Sequence, residues 1–505
     1  MFLTRRHTVS EIEYTAIPTQ DPTSQPDILT TSRDTEPQRS FVHTLPLELV
    51  CLILSAIPDP ESLFSVILSC NYFYQAFNHA ESTIVHHVMM NQIGPDNLPE
   101  AITAFRSAEL PPPDFENEQT AVAFSEFLQE NVHKRPSLET WSLTTALALS
   151  EIHDHVNYFA TRFIAETSGN GPIRTTKTPR TTQEINRFRR AFYRFETFSN
   201  FFHTLYGTIW FSVRDFERQF MSPFAPWEID QIACAHDFLG RTILPAFNDV
   251  AEHDVGFGEM NIEFGNTVQI PGIQYLLTLG LEELRLFATT STYEERCELL
   301  ARHVDSLSDM PILCDILALG YTGQNANNCT LREVMQKGID SECIRTPLFH
   351  DNDPGPRDIW QWAYWEETGR KWVYQENRED LLRWGYVLWD KARLDESRIF
   401  QRPWKDPYTP EKIANREYEA SCQRDIMEKS WTQRERVCRL GGRGWWDFGN
   451  ESEVQWKVRR QGKGRSWSVT SNCSMYYISS SLEGARDQLE TMELPWEEEE
   501  QFWLP

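Results

Sequence analysis

The sequence predicts a mainly α protein: an N-terminal module of short helices followed by a large, mostly helical region. Three observations carry that expectation. Apolar residues recur three and four positions apart along most of the chain. Proline, threonine and glycine punctuate those runs where helices begin and end. Hydrophobic residues make up 40% of the 505 positions and aromatics 12%, enough to fill a sizeable core.

The elements follow in order. Residues 1–40 are rich in Thr, Ser, Pro, Gln and Asp and read as a disordered arm. From Phe41 the character changes. Leu45, Leu49, Leu52, Ile53 and Ile57 mark a first helix, with Pro46 suited to its first turn and Glu48 to its positive end. Pro58-Asp59-Pro60 must stop it, because a proline has no N–H to donate and restricts the residue before it. A second helix carries Leu63, Phe64, Ile67 and Leu68, a third Phe73, Ala76 and Phe77, and a fourth Ile84, Val85, Val88 and Met89. Gly94-Pro95 ends that run, and Leu98, Ile102 and Phe105 mark one helix more. Pro111-Pro112-Pro113 reads as a linker, so a first module is placed at 41–110.

The middle region, 114–350, is expected to be helical. Trp141 to Ile164, Ile185 to Phe202, Tyr275 to Phe287 and Tyr293 to Val304 carry its clearest stripes. The remainder, 351–505, is Trp-rich and expected to pack with the region before it. Fourteen of the seventeen tryptophans lie there, so it brings its own packing material. Leu381, Trp384, Leu388 and Ala392 are placed on one helical face. Thr409-Pro410-Glu411 is a helix start and Gly441-Gly442 a stop, with a long charged helix between.

The net charge is −26, which disfavours a general nucleic-acid binder because the chain repels a phosphate backbone. No run approaches the ~20 apolar residues of a membrane helix. No secretory signal is expected at the start, where no apolar core follows the first charges, and the ten scattered cysteines contain no Cys-x-x-Cys, which points to reduced thiols in the cytoplasm or nucleus.

The opening Leu45-Pro46-Leu47-Glu48-Leu49 is the most informative motif. With Ile53-Leu54, the break at Pro58, Leu63 and Ser69-Cys70-Asn71-Tyr72-Phe73, it resembles the F-box. The family's usual tryptophan is Phe73 here and its arginine is Asn71. The stretch up to Phe105 is similar to the extension of fungal F-box-like proteins. The resemblance implies an adaptor that binds a Skp1-like protein and, through it, a cullin, so that a substrate reaches a ubiquitin ligase. It implies Leu45, Pro46, Leu49, Ile53, Leu54, Leu63 and Phe73 as the docking set. A box of about forty residues cannot hide all these apolar side chains by itself, so a partner or the rest of the chain must cover them. Two alternatives stay open: an F-box-like scaffold acting outside a ligase, and an unrelated ligand-binding protein or enzyme.

Other motifs are discounted. His153-Asp154-His155 places two histidines at i and i+2, which diverge on a helix, so a solvated face is the better reading. Asp351-Asn352-Asp353-Pro354-Gly355 begins like a calcium loop, but its glycine is one place early, so it reads as a turn. Along Arg187 to Phe195 the phenylalanines fall at helical spacing and are expected in the core, with arginines on the wet face. Arg459, Arg460, Lys463 and Arg465 form the one basic cluster suited to an anionic substrate motif. No catalytic triad, metal set or cofactor motif emerges, so a non-catalytic protein without cofactor is expected.

Overall fold

The computed structural model describes residues 45–110, 118–134, 136–169, 171–202, 219–307, 317, 329–337, 344, 351–369, 372–374, 378–404 and 409–456. The expected arm at 1–40, the linker at Pro111-Pro112-Pro113 and the basic cluster of Arg459, Arg460, Lys463 and Arg465 lie outside them. The chain is mainly α. Among the described residues the only named strands are two short ones, β1 (Gly442–Arg443) and β2 (Gln455–Trp456), paired antiparallel.

The first helix, α1 (Leu47–Ser55), begins after Pro46 and carries Glu48 in its first turn. Next comes α2 (Pro60–Ser69). The Asp59 carboxylate caps it, accepting from the Ser62 backbone N–H at 2.7 Å and from the Ser62 hydroxyl at 2.9 Å. The expected third and fourth helices are one run, α3 (Asn71–Gln92), bent where Ala80 leaves helical geometry (φ −138°, ψ 31°). The module ends with α4 (Leu98–Glu109).

The body is built on three long helices. After α5 (Glu118–Phe127) come α6 (Leu143–Gly169), α7 (Thr182–Phe202) and α8 (Pro226–Ala251). Every residue from Pro226 to Gly240 is buried, so α8 is enclosed on all sides at this end. The stretch α7 packs against α4, α6 and α8. Phe163 of α6 stacks on Phe238 of α8 with ring centroids 4.5 Å apart.

Four shorter helices follow: α9 (Val255–Glu259), α10 (Pro271–Leu277), α11 (Leu281–Thr289) and α12 (Tyr293–Ala301), each packed against α8. The sequence placed one helix over Tyr275 to Phe287. The structure divides it: α10 stops at Leu277, and Gly280, the residue that caps the start of α11, adopts φ 82°, a positive value that glycine takes readily.

Beyond α13 (Leu331–Lys337) lie α14 (Gly355–Tyr364), α15 (Glu379–Arg383), a short 3-10 turn at Tyr386–Leu388, α16 (Lys391–Glu396) and α17 (Pro410–Arg439). The single helical face expected for Leu381, Trp384, Leu388 and Ala392 is not formed. Gly385 turns left-handed (φ 63°) and Trp389 is extended, so the stretch is broken into short pieces. Each piece turns its apolar side inward, and Trp360, Trp372 and Trp389 are almost fully buried. The start of α17 is as expected: Pro410 occupies its first turn and the Thr409 side chain accepts from the Lys412 N–H.

One connected core runs from Val50 to Met427. Residues before and after Pro111-Pro112-Pro113 contribute to it, and so do those beyond 350. A small satellite core joins Val255, Val437, Trp446 and Val454.

Two further expectations from the sequence are corrected. Arg187 and Arg194 do not face water: their side chains are 0% and 3% exposed. Nearly every position from Glu184 to Phe202 is covered, so the arginines are tolerated only as ion pairs. Arg187 meets Asp351 at 2.6 Å and Asp390 at 2.6 Å, and Arg194 meets Glu228 at 2.9 Å. His153 is likewise buried rather than solvated, with Nδ1 2.6 Å from the Tyr193 hydroxyl. Asp351 to Gly355 is a turn, as expected, but it has a further use. Asp353 accepts from the Gly355 and Lys391 backbone N–H groups at 2.8 Å each, while Asp351 is turned to Arg187.

Candidate partner-docking surface

Helix α1 reads Leu-Glu-Leu-Val-Cys-Leu-Ile-Leu-Ser and is apolar almost all round. Such a helix needs cover on every side. The fold supplies it on one side. Leu47, Val50, Cys51 and Leu54 fall at i, i+3, i+4 and i+7 and face inward, with Val50 and Leu54 fully buried. Leu49, Leu52, Ile53 and Ala56 form the opposite stripe and are exposed. Leu49 is 46%, Leu52 64% and Ile53 49% accessible, which is unusual for three large aliphatic residues on one face.

Helix α3 holds α1 at both ends. The Tyr72 hydroxyl donates to the Leu45 carbonyl at 2.7 Å. The Asn91 side-chain amide donates to the carbonyls of Ser55 and Ile57 at 2.9 and 3.0 Å. In between, the Cys51 thiol donates to the Ala76 carbonyl. The Asn91 bond to Ser55 satisfies a carbonyl that the C-terminal end of α1 leaves without a helical partner, and the four bonds together fix which side of α1 faces out. Further exposed apolar side chains occur at Leu68 on α2 and Tyr74 on α3.

The expected docking residues divide accordingly. Pro46, Leu49 and Ile53 are exposed, and Leu45 and Phe73 are partly buried. Leu54 and Leu63 are fully buried and belong to the chain's own core. They support the surface from beneath and are not part of it. Leu52, outside the expected set, is the most exposed of the stripe. Its position one turn after Leu49 was the signal for it.

Several buried charged groups elsewhere are paired with one another. A small pocket, open at its mouth, is lined by Glu100, Thr103, Asn131, Arg194, Phe220 and Phe224, among others. Burial raises the Glu100 carboxyl above its ordinary range, opposed by Arg190 and Arg194, which pair with it at 3.2 and 3.5 Å. Asp230 is fully buried and pushed up to about 6 by the loss of water, while hydrogen bonds from Tyr386, the Tyr374 backbone and Tyr364 oppose the shift. Among the described residues no group of three or more His, Cys, Asp or Glu side chains is arranged to hold a metal ion. No described helix is long and apolar enough to cross a membrane.

Fold and surface together define a mainly α protein that presents one helix with an uncovered aliphatic face. No family model, no curated protein and no solved structure matches the chain.

Proposed function

We propose that the chain is an F-box-type adaptor. In this reading it binds a Skp1-like protein through the outer face of α1 and, through that partner and a cullin, brings a substrate to a ubiquitin ligase in the cytoplasm or nucleus. One observation supports it most: α1 is apolar almost all round, is clamped to α3 by its inner face, and leaves Leu49, Leu52 and Ile53 uncovered beside Pro46. A groove on a partner is the complement of such a helix. The role needs no catalytic side chain, because an adaptor acts by raising the effective concentration of substrate near the transferring enzyme.

The test is co-purification with the full-length tagged chain. The wild type is expected to bring down a Skp1-like protein together with a cullin. The triple variant Leu49→Ala, Leu52→Ala, Ile53→Ala is expected to lose both while keeping its helical circular dichroism. Interface anchors cost about 2 kcal/mol or more each on truncation, so even two of them would weaken binding several-hundred-fold. Capture of the Skp1-like protein without a cullin would favour the scaffold reading. Undiminished capture by the triple variant would remove α1 from the interface.

A further inference from the structure

The uncovered side of α1 carries charge of one sign. Glu48 is exposed and stands one turn before Leu52, so the two lie side by side on the helix surface. Beyond the other end of α1 come Asp59 and Glu61, at the start of α2. Glu61 is exposed and shares an outer stripe of α2, at i, i+4 and i+7, with Ser65 and the exposed Leu68. Neither Glu48 nor Glu61 pairs with a cation among the described residues.

No basic residue of the module offsets them. From Leu45 to Phe105 there is no Lys or Arg, and Arg106 is the first. The same stretch holds Glu48, Asp59, Glu61, Glu81, Asp96 and Glu100. The whole chain has 48 Lys and Arg against 74 Asp and Glu, so a stretch of this length without one of them departs from its surroundings. Glu100 is buried and paired with Arg190 and Arg194, and Glu81 accepts from the Leu143 backbone N–H at 3.0 Å. Those two are used within the fold, whereas Glu48 and Glu61 are left at the surface. The last turns of α1 and α2 carry no basic residue either, so no cation compensates the negative ends of their dipoles.

Resting on the adaptor reading, we infer that the partner's groove has an apolar floor for Leu49, Leu52 and Ile53 and a rim of Lys or Arg side chains that meets Glu48. The aliphatic residues supply the affinity. The carboxylate at their edge supplies register and a faster encounter, as charges at the rim of an interface do. The same charge opposes two other occupants. A second copy of this chain would set one acidic face against another, and an anionic lipid surface would repel it.

The experiment is isothermal titration of the full chain with a purified Skp1-like protein at about 0.05 and 0.5 M NaCl, which shortens the screening length about threefold. The wild type is expected to bind about tenfold more weakly at the higher salt. At low salt Glu48→Gln should weaken binding about twofold and Glu48→Lys about fivefold, and both should shrink the salt effect. Glu428→Lys, an exposed reversal on α17, makes the same change in net charge and should stay within about twofold of wild type. All variants should keep the wild-type circular dichroism. A Kd indifferent to salt, or equal losses from Glu48→Lys and Glu428→Lys, would overturn the inference and leave the adaptor reading in place. Absence of binding at either salt would remove that reading and the inference with it. Sedimentation of the chain as a dimer that Leu52→Ala disperses would give the face to a second copy and overturn the inference as well.

Discussion

The guanidinium of Arg187 on α7 and the carboxylate of Asp351, 164 positions further on, meet at 2.6 Å, and Asp390 closes on the same arginine from the other side. The loss of water at Arg187 is outweighed by these two carboxylates, so its basicity is raised, and the same pairing holds Asp351 below the usual carboxylate range against its burial. A second pair, Arg393 with Glu184 at 2.8 Å, ties the same two regions together. The stretch from Asp351 to Arg393 is thereby held against α7.

Removing one side of that lock leaves a buried charge without its partner. Arg187→Met is expected to cost about 3–5 kcal/mol. Asp351→Asn alone should cost less, because Asp390 still faces the arginine. The double variant Arg187→Met, Asp351→Asn should be more stable than the sum of the single losses predicts. Urea midpoints of the four proteins give this cycle directly.

The two faces of α1 should respond oppositely to truncation. Leu54→Ala opens a hole in the core and is expected to cost about 2–5 kcal/mol. Leu52→Ala, on the exposed face, should stay within about 0.5 kcal/mol of wild type. Chemical denaturation separates the two, and partner capture should follow the reverse order at matched folded fraction.

Two buried histidines make the fold sensitive to acid. Burial lowers both His153 and His236 to about 4, so each stays neutral in the fold. The stability that neutrality permits is complete above the ordinary histidine pKa of about 6.5 and is lost as pH falls toward 4. Asp230 acts in the opposite sense. Its carboxyl is raised to about 6, so its contribution is complete below 3.8 and lost as pH rises through 6. Each of these three shifts corresponds to about 3 kcal/mol at most, and burial raises Glu100 and Asp237 in the same sense as Asp230. The test is the change each variant makes to the wild-type profile of urea midpoint against pH. His236→Gln should raise the midpoint at pH 4 relative to that at pH 7, and Asp230→Asn should lower it.

Gly280→Ala tests the break between α10 and α11. At φ 82° a Cβ is strained whatever the space around it. The next residue, Leu281, donates its backbone N–H to the buried Glu196 carboxylate at 2.7 Å, so the turn cannot relax without losing that bond. The variant is expected to lose about 1 kcal/mol or more, read as a lowered melting temperature.

Local chemistry is written in the sequence where neighbouring residues suffice. The start of α17 at Thr409-Pro410, the halt of α1 before Pro58-Asp59-Pro60 and the courses of α6 and α7 follow from caps, prolines and apolar spacing. Partner choice between distant residues is not local. Nothing around Arg187 distinguishes it from a solvent-facing arginine until Asp351 and Asp390 arrive from far along the chain. The left-handed turn at Gly385 was equally hidden, because glycine permits it without requiring it.

The candidate surface divides the same way. The sequence by itself determined that the segment from Leu45 to Ile57 is a short helix with more apolar side chains than it can hide. Because that helix is apolar almost all round, its periodicity names no inner face. Only the tertiary structure decided that Val50 and Leu54 go inward and that Leu49, Leu52 and Ile53 stay in water. The physical reason is the placement of α3: Tyr72 and Asn91 hold the two ends of α1 in one rotation, and burial follows from that rotation rather than from hydrophobicity.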